Sequence, residues 1–276
     1  MDYTIEHAIN HGLRAHPLLD AVLAGVASWG VTLFGVAAFA LWLFDRPRCI
    51  GVYRRAGAAG LSAAAVGLLI NQVISHIWHR PRPYEAHPQG ILPLISGSHD
   101  PSFPSDHATA AFAIAFGILF VAFRAGLVLL LWATLIALSR VLVGVHYPTD
   151  VLASVVVGLV AGFFCARVLM GPVLEPLIRL ASHITDPVLG PIERQAFVRS
   201  SLGSPRVRSM AVAIIGAVLL VVFAVRLSGP LIDEMPLAVL ALWLLVVVGG
   251  VYVAGLHAGN GDIGSGAALR AGDVLS

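Results

Sequence analysis

Charged residues are scarce in this chain: only 12% of its 276 residues are Asp, Glu, Lys or Arg, whereas 58% are hydrophobic. A soluble globular domain averages about 25% charged residues. About half that fraction of charged residues is too little to cover a water-facing surface. In addition, several apolar runs reach the roughly 20 residues that a helix needs to cross a bilayer. Because these runs are apolar on all sides, they favour membrane spans over the buried helices of an unusually apolar soluble protein.

Lysine is absent and cysteine is rare. All 17 basic residues are arginine, and the net charge of +2, with no nucleic-acid motif beside it, does not indicate nucleic-acid binding. The two cysteines, Cys49 and Cys165, lie far apart without metal-ligand spacing, and we interpret both as unpaired. The first twenty residues lack the continuous apolar stretch of a signal peptide. Within them, Ile5, Ile9 and Leu13 recur every four residues and predict a short helix at the membrane interface.

The apolar runs predict an all-α, polytopic transmembrane helix bundle of about seven spans. Five spans form a membrane core over 21–170, at about 21–44, 56–78, 107–123, 127–145 and 148–170. Two additional transmembrane helices are expected within 211–256, at about 211–225 and 236–256. The other segments are an interfacial N-terminal segment over 1–20, an interfacial linker over 171–210 and a glycine-rich tail over 257–276 that we predict to be disordered.

The placement of arginine predicts the orientation in the membrane, since cytoplasmic loops carry an excess of basic residues. With the N-terminus outside, twelve arginines fall on the cytoplasmic side and only four on the outer side. The polar, proline-rich loop over 79–104 and the turn over 146–150 then share the outer face. Polar residues from both segments are therefore expected on one side of the membrane.

A polar cluster crosses the turn between the fourth and fifth spans. Arg140 lies in an apolar stretch, where a charge costs at least about 2.5–3.5 kcal/mol and usually has a partner. Pro148 suits the first turn of a helix, so that Asp150 lies one turn from His146. A carboxylate against one imidazole nitrogen fixes the tautomer and leaves the other nitrogen free to attack. A His and an Asp that simply face water would explain that pair alone better, but Arg140 weakens this alternative.

A second cluster, Ser105-Asp106-His107, begins the third span. Free backbone N–H groups at a helix N-terminus bind anions, and a serine hydroxyl adds a donor. Ser105 or Asp106 can also be a plain N-cap, which is compatible with anion binding. Capping does not explain His107, which when protonated can donate to a leaving oxygen.

The third cluster is the pair Arg80 and Arg82, each followed by proline, just after the second span. Guanidinium groups bind phosphate oxygens bidentately. A basic pair that flanks the membrane is the ordinary alternative, but these two lie on the arginine-poor face, which favours a specific role. The neighbouring histidines have irregular spacing that is not typical of a metal site. They are His76, His79, His87 and His99.

Together the clusters resemble the type-2 phosphatidic acid phosphatase superfamily. That family has a lysine followed after six residues by Arg-Pro, then Pro-Ser-Gly-His, then Ser-Arg with a His and an Asp at fixed gaps. The matching residues, between about 75 and 150, are Arg82-Pro83, Pro104-Ser105-Asp106-His107, and Ser139, Arg140, His146 and Asp150. Two positions depart from the pattern, because Ser75 takes the place of the lysine and Asp106 that of the glycine. The Arg-Pro-Arg-Pro and Pro-Ser-Asp-His runs resemble one branch in particular, the bacitracin-resistance type of undecaprenyl-diphosphatase.

The resemblance implies hydrolysis through a phosphohistidine, with no metal or other cofactor required. His146 is then the nucleophile, Asp150 orients it, and His107 protonates the leaving group. The substrate-binding residues implied in this way hold the transferring phosphoryl group or lie beside it: Arg82, Arg140, Ser105, Arg80 and Asp106.

The implied substrate is a lipid-linked polyprenyl diphosphate, cleaved outside the bacterial cytoplasmic membrane. Phosphatidate, phosphatidylglycerophosphate or another lipid phosphate is the alternative within the same class. A transporter that binds lipid phosphate without cleaving it, and a phosphotransferase that passes phosphate to another lipid, are alternatives of other classes. The sequence leaves the oligomeric state open, a homo-oligomer included.

Overall fold

A computed structural model describes residues 2–13, 17–44, 50–95, 98 and 100–199. This part of the chain is helical and contains no strand. The helices are α1 (Asp2–Leu13), α2 (Pro17–Ala40), α3 (Val52–Ile77), α4 (Pro83–Ala86), α5 (Asp106–Leu119), α6 (Phe123–Leu142), α7 (Pro148–Phe163) and α8 (Glu175–Arg199). A 3₁₀ turn, Leu41–Phe44, extends α2, and a π-helical segment, Phe164–Leu174, joins α7 to α8.

Four described helices are long and apolar enough to cross a membrane, and the shorter α5 is the fifth element of the core. The four spans are Leu19–Ala40, Val52–Ile77, Phe123–Leu142 and Pro148–Pro187. The prediction of a polytopic helical membrane protein is thereby confirmed. The helix ends are shifted: the third span ends at Leu119 and the fourth begins at Phe123, because the chain turns over 120–122. The two spans expected within 211–256 lie outside the described residues.

Helix α5 forms the centre of the bundle and packs against α3, α6 and α7. Most of its residues are buried, many of them alanine. Small side chains let membrane helices approach closely; a Cβ added at Gly117 would lie 2.8 Å from the carbonyl oxygen of Ala59 on α3. With 14 residues, α5 is about 21 Å long, shorter than the roughly 30 Å hydrocarbon core. At least one of its ends therefore lies within the depth of the membrane.

The outer surface of the bundle is apolar, as lipid contact requires. Leu131 on α6 is 62% exposed, and Leu152 on α7 is 64% exposed. Exposure of large aliphatic side chains on this scale would be unfavourable in water. The buried side of the bundle is instead made from alanine, glycine and a few large residues such as Phe34 and Ile118.

The helix that begins at Pro148 does not end near Met170, where we expected the fifth span to stop. It continues through the π-helical segment, which contains Pro172, into α8. Proline removes one backbone hydrogen bond from a helix without necessarily ending it. Whether this stretch lies along the membrane surface stays a prediction.

Candidate active site

The turn from α6 to α7 presents His146 to the interior of the protein. Gly144 has a φ of 79°, a left-handed conformation that glycine adopts without strain. Pro148 occupies the first turn of α7, and the backbone N–H of Tyr147 donates to Oδ2 of Asp150 at 2.9 Å. This N-terminal cap fixes the backbone on either side of His146, whose residue exposure is only 2%.

The hydrogen bonds of His146 define its tautomer. Its Nδ1 lies 2.9 Å from the carbonyl oxygen of Ser102. A carbonyl only accepts hydrogen bonds, so Nδ1 carries the hydrogen and the neutral ring has its lone pair on Nε2. That nitrogen faces a guanidinium nitrogen of Arg82 at 3.4 Å. The imidazole is therefore held in the form that has a nucleophilic Nε2.

Asp150 supports His146 less directly than the sequence predicts. Its Oδ2 lies 3.7 Å from Nδ1, beyond hydrogen-bond distance. The same oxygen accepts the hydroxyl of Ser102 at 2.5 Å. Ser102 thus contacts the imidazole through its backbone carbonyl and Asp150 through its side chain, and it links the two groups that the sequence pairs directly.

Arg82 is held by backbone carbonyls from two segments. Its Nε donates to the carbonyl of Asp100 at 2.9 Å, and Nη1 lies 3.5 Å from the carbonyl of Val145. The side chain is buried, and among the described residues no carboxylate pairs with it. Its positive charge therefore remains available to an anion in front of His146.

Two further donors are buried in the same region. Arg140 donates from Nη1 to the carbonyl of Ala27 on α2 at 2.7 Å, whereas its Nε has no hydrogen-bond partner among the described residues. Ser105, the N-cap of α5, is completely buried and its Oγ has no partner in this part of the chain either. Buried polar atoms without a partner are uncommon and costly, so these two fit a site that binds an anion.

His107 joins the group from the first turn of α5. It lies within electrostatic range of His146, Arg140 and Arg82. The two histidines and two arginines from three separate motifs therefore converge on one region, as their predicted placement on one membrane face requires. Buried guanidinium groups beside a helix N-terminus make this region strongly favourable for a phosphoryl group.

The surroundings of His146 favour the neutral form of its ring. His146 lies in the turn between the membrane helices, where burial lowers its pKa below the ordinary value for histidine. Asp150 opposes this effect, and the charges of Arg140 and Arg82 add to it. A depressed pKa favours the unprotonated Nε2, which is the form that can attack an electrophile.

Arg80 lies elsewhere than expected of a phosphate ligand. Its guanidinium contacts Oδ1 of Asp150 at 2.6 Å and Oδ2 of Asp2 at 2.9 Å, and it donates to Oγ1 of Thr149 at 2.7 Å. It also stacks over the ring of Tyr147, 3.9 Å from the centroid. With two carboxylates already in contact, Arg80 is suited to orient Asp150, and its part in phosphate binding stays a prediction.

Comparison with known proteins identifies the family. Residues 56–171 match the model of the PAP2 superfamily, and the matched range contains all three clusters. The chain is also 34% identical to the undecaprenyl-diphosphatase BcrC of Bacillus subtilis over 196 residues, which cover 71% of this chain and 97% of the relative. The chain belongs to the PAP2 superfamily.

Other PAP2 relatives are named for different lipid phosphates. The decaprenylphosphoryl-5-phosphoribose phosphatase of Mycobacterium tuberculosis is 33% identical over 56% of this chain and 83% of its own length. The lipid A 1-phosphatase of Rhizobium johnstonii is 37% identical over 33% of this chain and 38% of its own length. The protein is therefore a multi-pass membrane protein of a lipid phosphatase family, and the family alone does not specify the lipid.

The two departures from the PAP2 pattern have different surroundings. Ser75, at the lysine position, donates its hydroxyl to the carbonyl of Gln72 on its own helix. Asp106, at the glycine position, accepts a hydrogen bond from Nδ2 of Asn71 at 2.8 Å, and Asn71 also contacts Thr109. Asp106 is exposed beside the buried Ser105, and its part in substrate binding stays a prediction.

Several residues of the PAP2 site could not be found from the motifs. Ser102 precedes the second motif in an irregular loop, and Asp2 is 78 residues from Arg80. Asn71 is a polar residue in an apolar span, which is the one signal that the sequence offers for it. Among the described residues, no group of three His, Cys, Asp or Glu side chains could hold a metal ion.

Proposed function

We propose that this protein hydrolyses a polyprenyl diphosphate, such as undecaprenyl diphosphate, to the monophosphate and inorganic phosphate at the outer face of the bacterial cytoplasmic membrane. The observation that carries the proposal is the geometry of His146. Its Nδ1 is hydrogen-bonded to the Ser102 carbonyl, and its Nε2 faces Arg82. The choice of lipid is supported by the relative named undecaprenyl-diphosphatase, 97% of whose length the match covers.

In the first step, the lone pair of His146 Nε2 attacks the terminal phosphorus. The new N–P bond forms as the bond from phosphorus to the bridging oxygen breaks, and protonated His107 gives its proton to that oxygen. Arg82, Arg140 and Ser105 stabilise the charge on the phosphoryl oxygens. The lipid monophosphate leaves, and a phosphohistidine remains.

In the second step, water attacks the phosphohistidine. Neutral His107 accepts a proton from the water as the new P–O bond forms and the N–P bond breaks. Inorganic phosphate leaves, His146 regains its lone pair and His107 is again protonated. Throughout, Nδ1 keeps its hydrogen, which it donates to the Ser102 carbonyl, and Asp150 stabilises the positive charge that the ring acquires.

A panel of lipids tests the substrate. Purified protein should release phosphate from undecaprenyl diphosphate with a higher kcat/KM than from phosphatidate or phosphatidylglycerophosphate. If one of the latter is the best substrate, the polyprenyl assignment is wrong while the phosphatase mechanism stands. Adding an acceptor lipid to this assay also tests for phosphotransferase activity. A phosphotransferase would place the phosphate on the acceptor lipid instead of releasing it into solution.

A histidine variant separates the enzyme from a transporter. His146→Ala should abolish phosphate release, whereas His183→Ala, an exposed histidine on α8, should retain it. Binding of lipid phosphate by a transporter needs no nucleophile, so undiminished phosphate release by His146→Ala would end the proposed mechanism.

A further inference from the structure

Helix α1 turns a polar stripe, not its apolar one, toward the rest of the protein. Asp2, Glu6 and Asn10 are four residues apart and share one side of the helix. Glu6 is 0% exposed and Asn10 is 3% exposed, whereas Ile5 of the apolar stripe is 49% exposed. A helix that only lay on the membrane would bury its apolar residues and expose its polar ones.

The polar stripe is docked on the segments that form the active site. Asp2 pairs with Arg80 at 2.9 Å and accepts the hydroxyl of Thr149, the residue before Asp150. Asn10 donates from Nδ2 to the carbonyl of Leu92 in the outer loop at 3.3 Å. Asp2 and Asp150 therefore share the guanidinium of Arg80, and α1 is electrostatically connected to the carboxylate that lies behind His146.

Glu6 lies beside these contacts, with its carboxyl group buried. Neither of its carboxyl oxygens has a hydrogen-bond partner among the described residues. The charged or titratable groups that interact with it are Asp2 on α1, Arg80 after α3, Asp150 on α7 and Tyr147 at the α7 cap. An ionised carboxylate here would be buried next to two others, and the described residues offer it one guanidinium to neutralise three charges.

We propose that Glu6 is a positioning residue of the phosphatase site and acts as a neutral, protonated carboxyl group. While Glu6 is neutral, Arg80 is shared by Asp2 and Asp150 alone, and Asp150 keeps its contact with Ser102 behind His146. When Glu6 ionises, it competes for Arg80 and repels Asp150, so that the nucleophile loses its alignment. This inference rests on the proposed function of His146 and assigns a role that the three motifs do not contain.

The direction of the pH dependence follows from the environment of Glu6. Burial raises its pKa to about 8, and the charge of Asp150 adds to this while Arg80 opposes it. An exposed glutamate has a pKa near 4.5. The docked carboxyl group holds its proton more tightly than an exposed one, so the docking of α1 becomes less favourable as the pH rises from the lower pKa to the higher pKa. Above the higher pKa, Glu6 is ionised even while α1 is docked.

The test compares kcat against pH for the purified full chain and for Glu6→Gln, a neutral isostere. Between about pH 7 and about pH 9, kcat of the wild type should fall about tenfold more than kcat of Glu6→Gln, as expected for a group with a pKa near 8. Glu6→Gln should be active at neutral pH and keep only the fall in kcat that the loss of the His107 proton causes. Glu175→Gln on α8, which changes the same residue type far from the site, should follow the wild-type profile. If Glu6→Gln does not fold, Glu6→Leu, also neutral, takes its place.

Infrared difference spectra between the same two pH values give a readout independent of substrate. The wild type should lose the band of a protonated carboxylic acid as the pH rises, and Glu6→Gln should lack that change. Alkaline profiles of Glu6→Gln and wild type that superimpose, or no difference between their infrared spectra, would overturn the role of Glu6. An infrared signal from Glu6 in a protein that releases no phosphate at any pH would instead overturn the proposed function, and with it the positioning role.

Discussion

The two ends of α3 lie near buried arginines with opposite surroundings. At the start of α3, Arg54 is paired with Asp186 of α8 at 2.7 Å, hydrogen-bonded to Ser182 at 2.7 Å and stacked over Trp42 at 5.0 Å. Beyond the other end, Arg82 meets backbone carbonyls and the ring of His146, and in the described part of the chain it has no carboxylate partner. The charge of Arg54 is thus neutralised at one end of the bundle, whereas the charge of Arg82 is left without a carboxylate at the other.

The difference shows how a membrane protein uses buried positive charge. A guanidinium that meets a carboxylate contributes to a structural contact, here between α3 and α8. A guanidinium that meets only carbonyls keeps most of its charge, and burying it in this form costs folding free energy. Under the proposed function, phosphate oxygens bound in front of Arg82 and Arg140 would offset that cost, and the substrate would stabilise the site.

The largest effect is expected from the arginines of the active site. Arg82→Ala and Arg140→Ala should each lower kcat by about 100- to 1,000-fold, the usual loss on removing a donor that stabilises the transition state. Thermal stability should change little or increase, since each change removes a buried charge that has no counterion among the described residues. Assays of phosphate release together with thermal unfolding in detergent measure both quantities. If these variants lost much stability and kept a normal kcat, the active-site arginines would be structural residues, like Arg54.

The arginine at the opposite end should show the reverse pattern. Arg54→Ala leaves Asp186 buried without this partner and should destabilise the protein by about 3 kcal/mol, with kcat unchanged at temperatures where it stays folded. The double variant Arg54→Met, Asp186→Leu should recover much of that loss, because it removes both charges. Thermal unfolding of the two variants checks this, and loss of kcat in folded Arg54→Ala would contradict the purely structural role.

A smaller effect is expected from Ser105. Its buried hydroxyl has no partner in the described part of the chain, so Ser105→Ala removes a donor without breaking a contact of the folded protein. We expect kcat to fall about tenfold, as for one neutral hydrogen bond in a buried site, with thermal stability maintained. Thr134→Val on α6 is the control, since that hydroxyl donates to the carbonyl of Leu130 on its own helix. Equal losses of kcat in both variants would show that Ser105 acts only through packing.

Sequence alone predicted the features that depend on run length and on local spacing. The apolar runs gave the helical membrane core because the thickness of a bilayer fixes the length of a span. The arginine bias placed three separated clusters on one face, and the structure brings His107, His146, Arg82 and Arg140 of those clusters into one region. The orientation of that face relative to the cell stays a prediction.

Sequence could not predict contacts that depend on the path of irregular segments. Ser102 reaches Asp150 across 48 residues, and Asp2 reaches Arg80 across 78 residues. No periodic pattern connects such positions, so the contacts of the Arg80 guanidinium with two carboxylates could not be predicted, and its part in phosphate binding stays a prediction. The sequence does not predict the extension of the fifth helix into α8, because nothing in it marks a π-helical segment that continues a helix past Pro172.

The covalent intermediate tests the central claim most directly. Under single-turnover conditions with lipid diphosphate labelled in its terminal phosphate, rapid quenching should trap an acid-labile, base-stable phosphoenzyme with the label on His146. The label should be absent from His146→Ala and present in His183→Ala. Release of labelled phosphate with no phosphoenzyme, or a label on another residue, would contradict the account of His146 as the nucleophile.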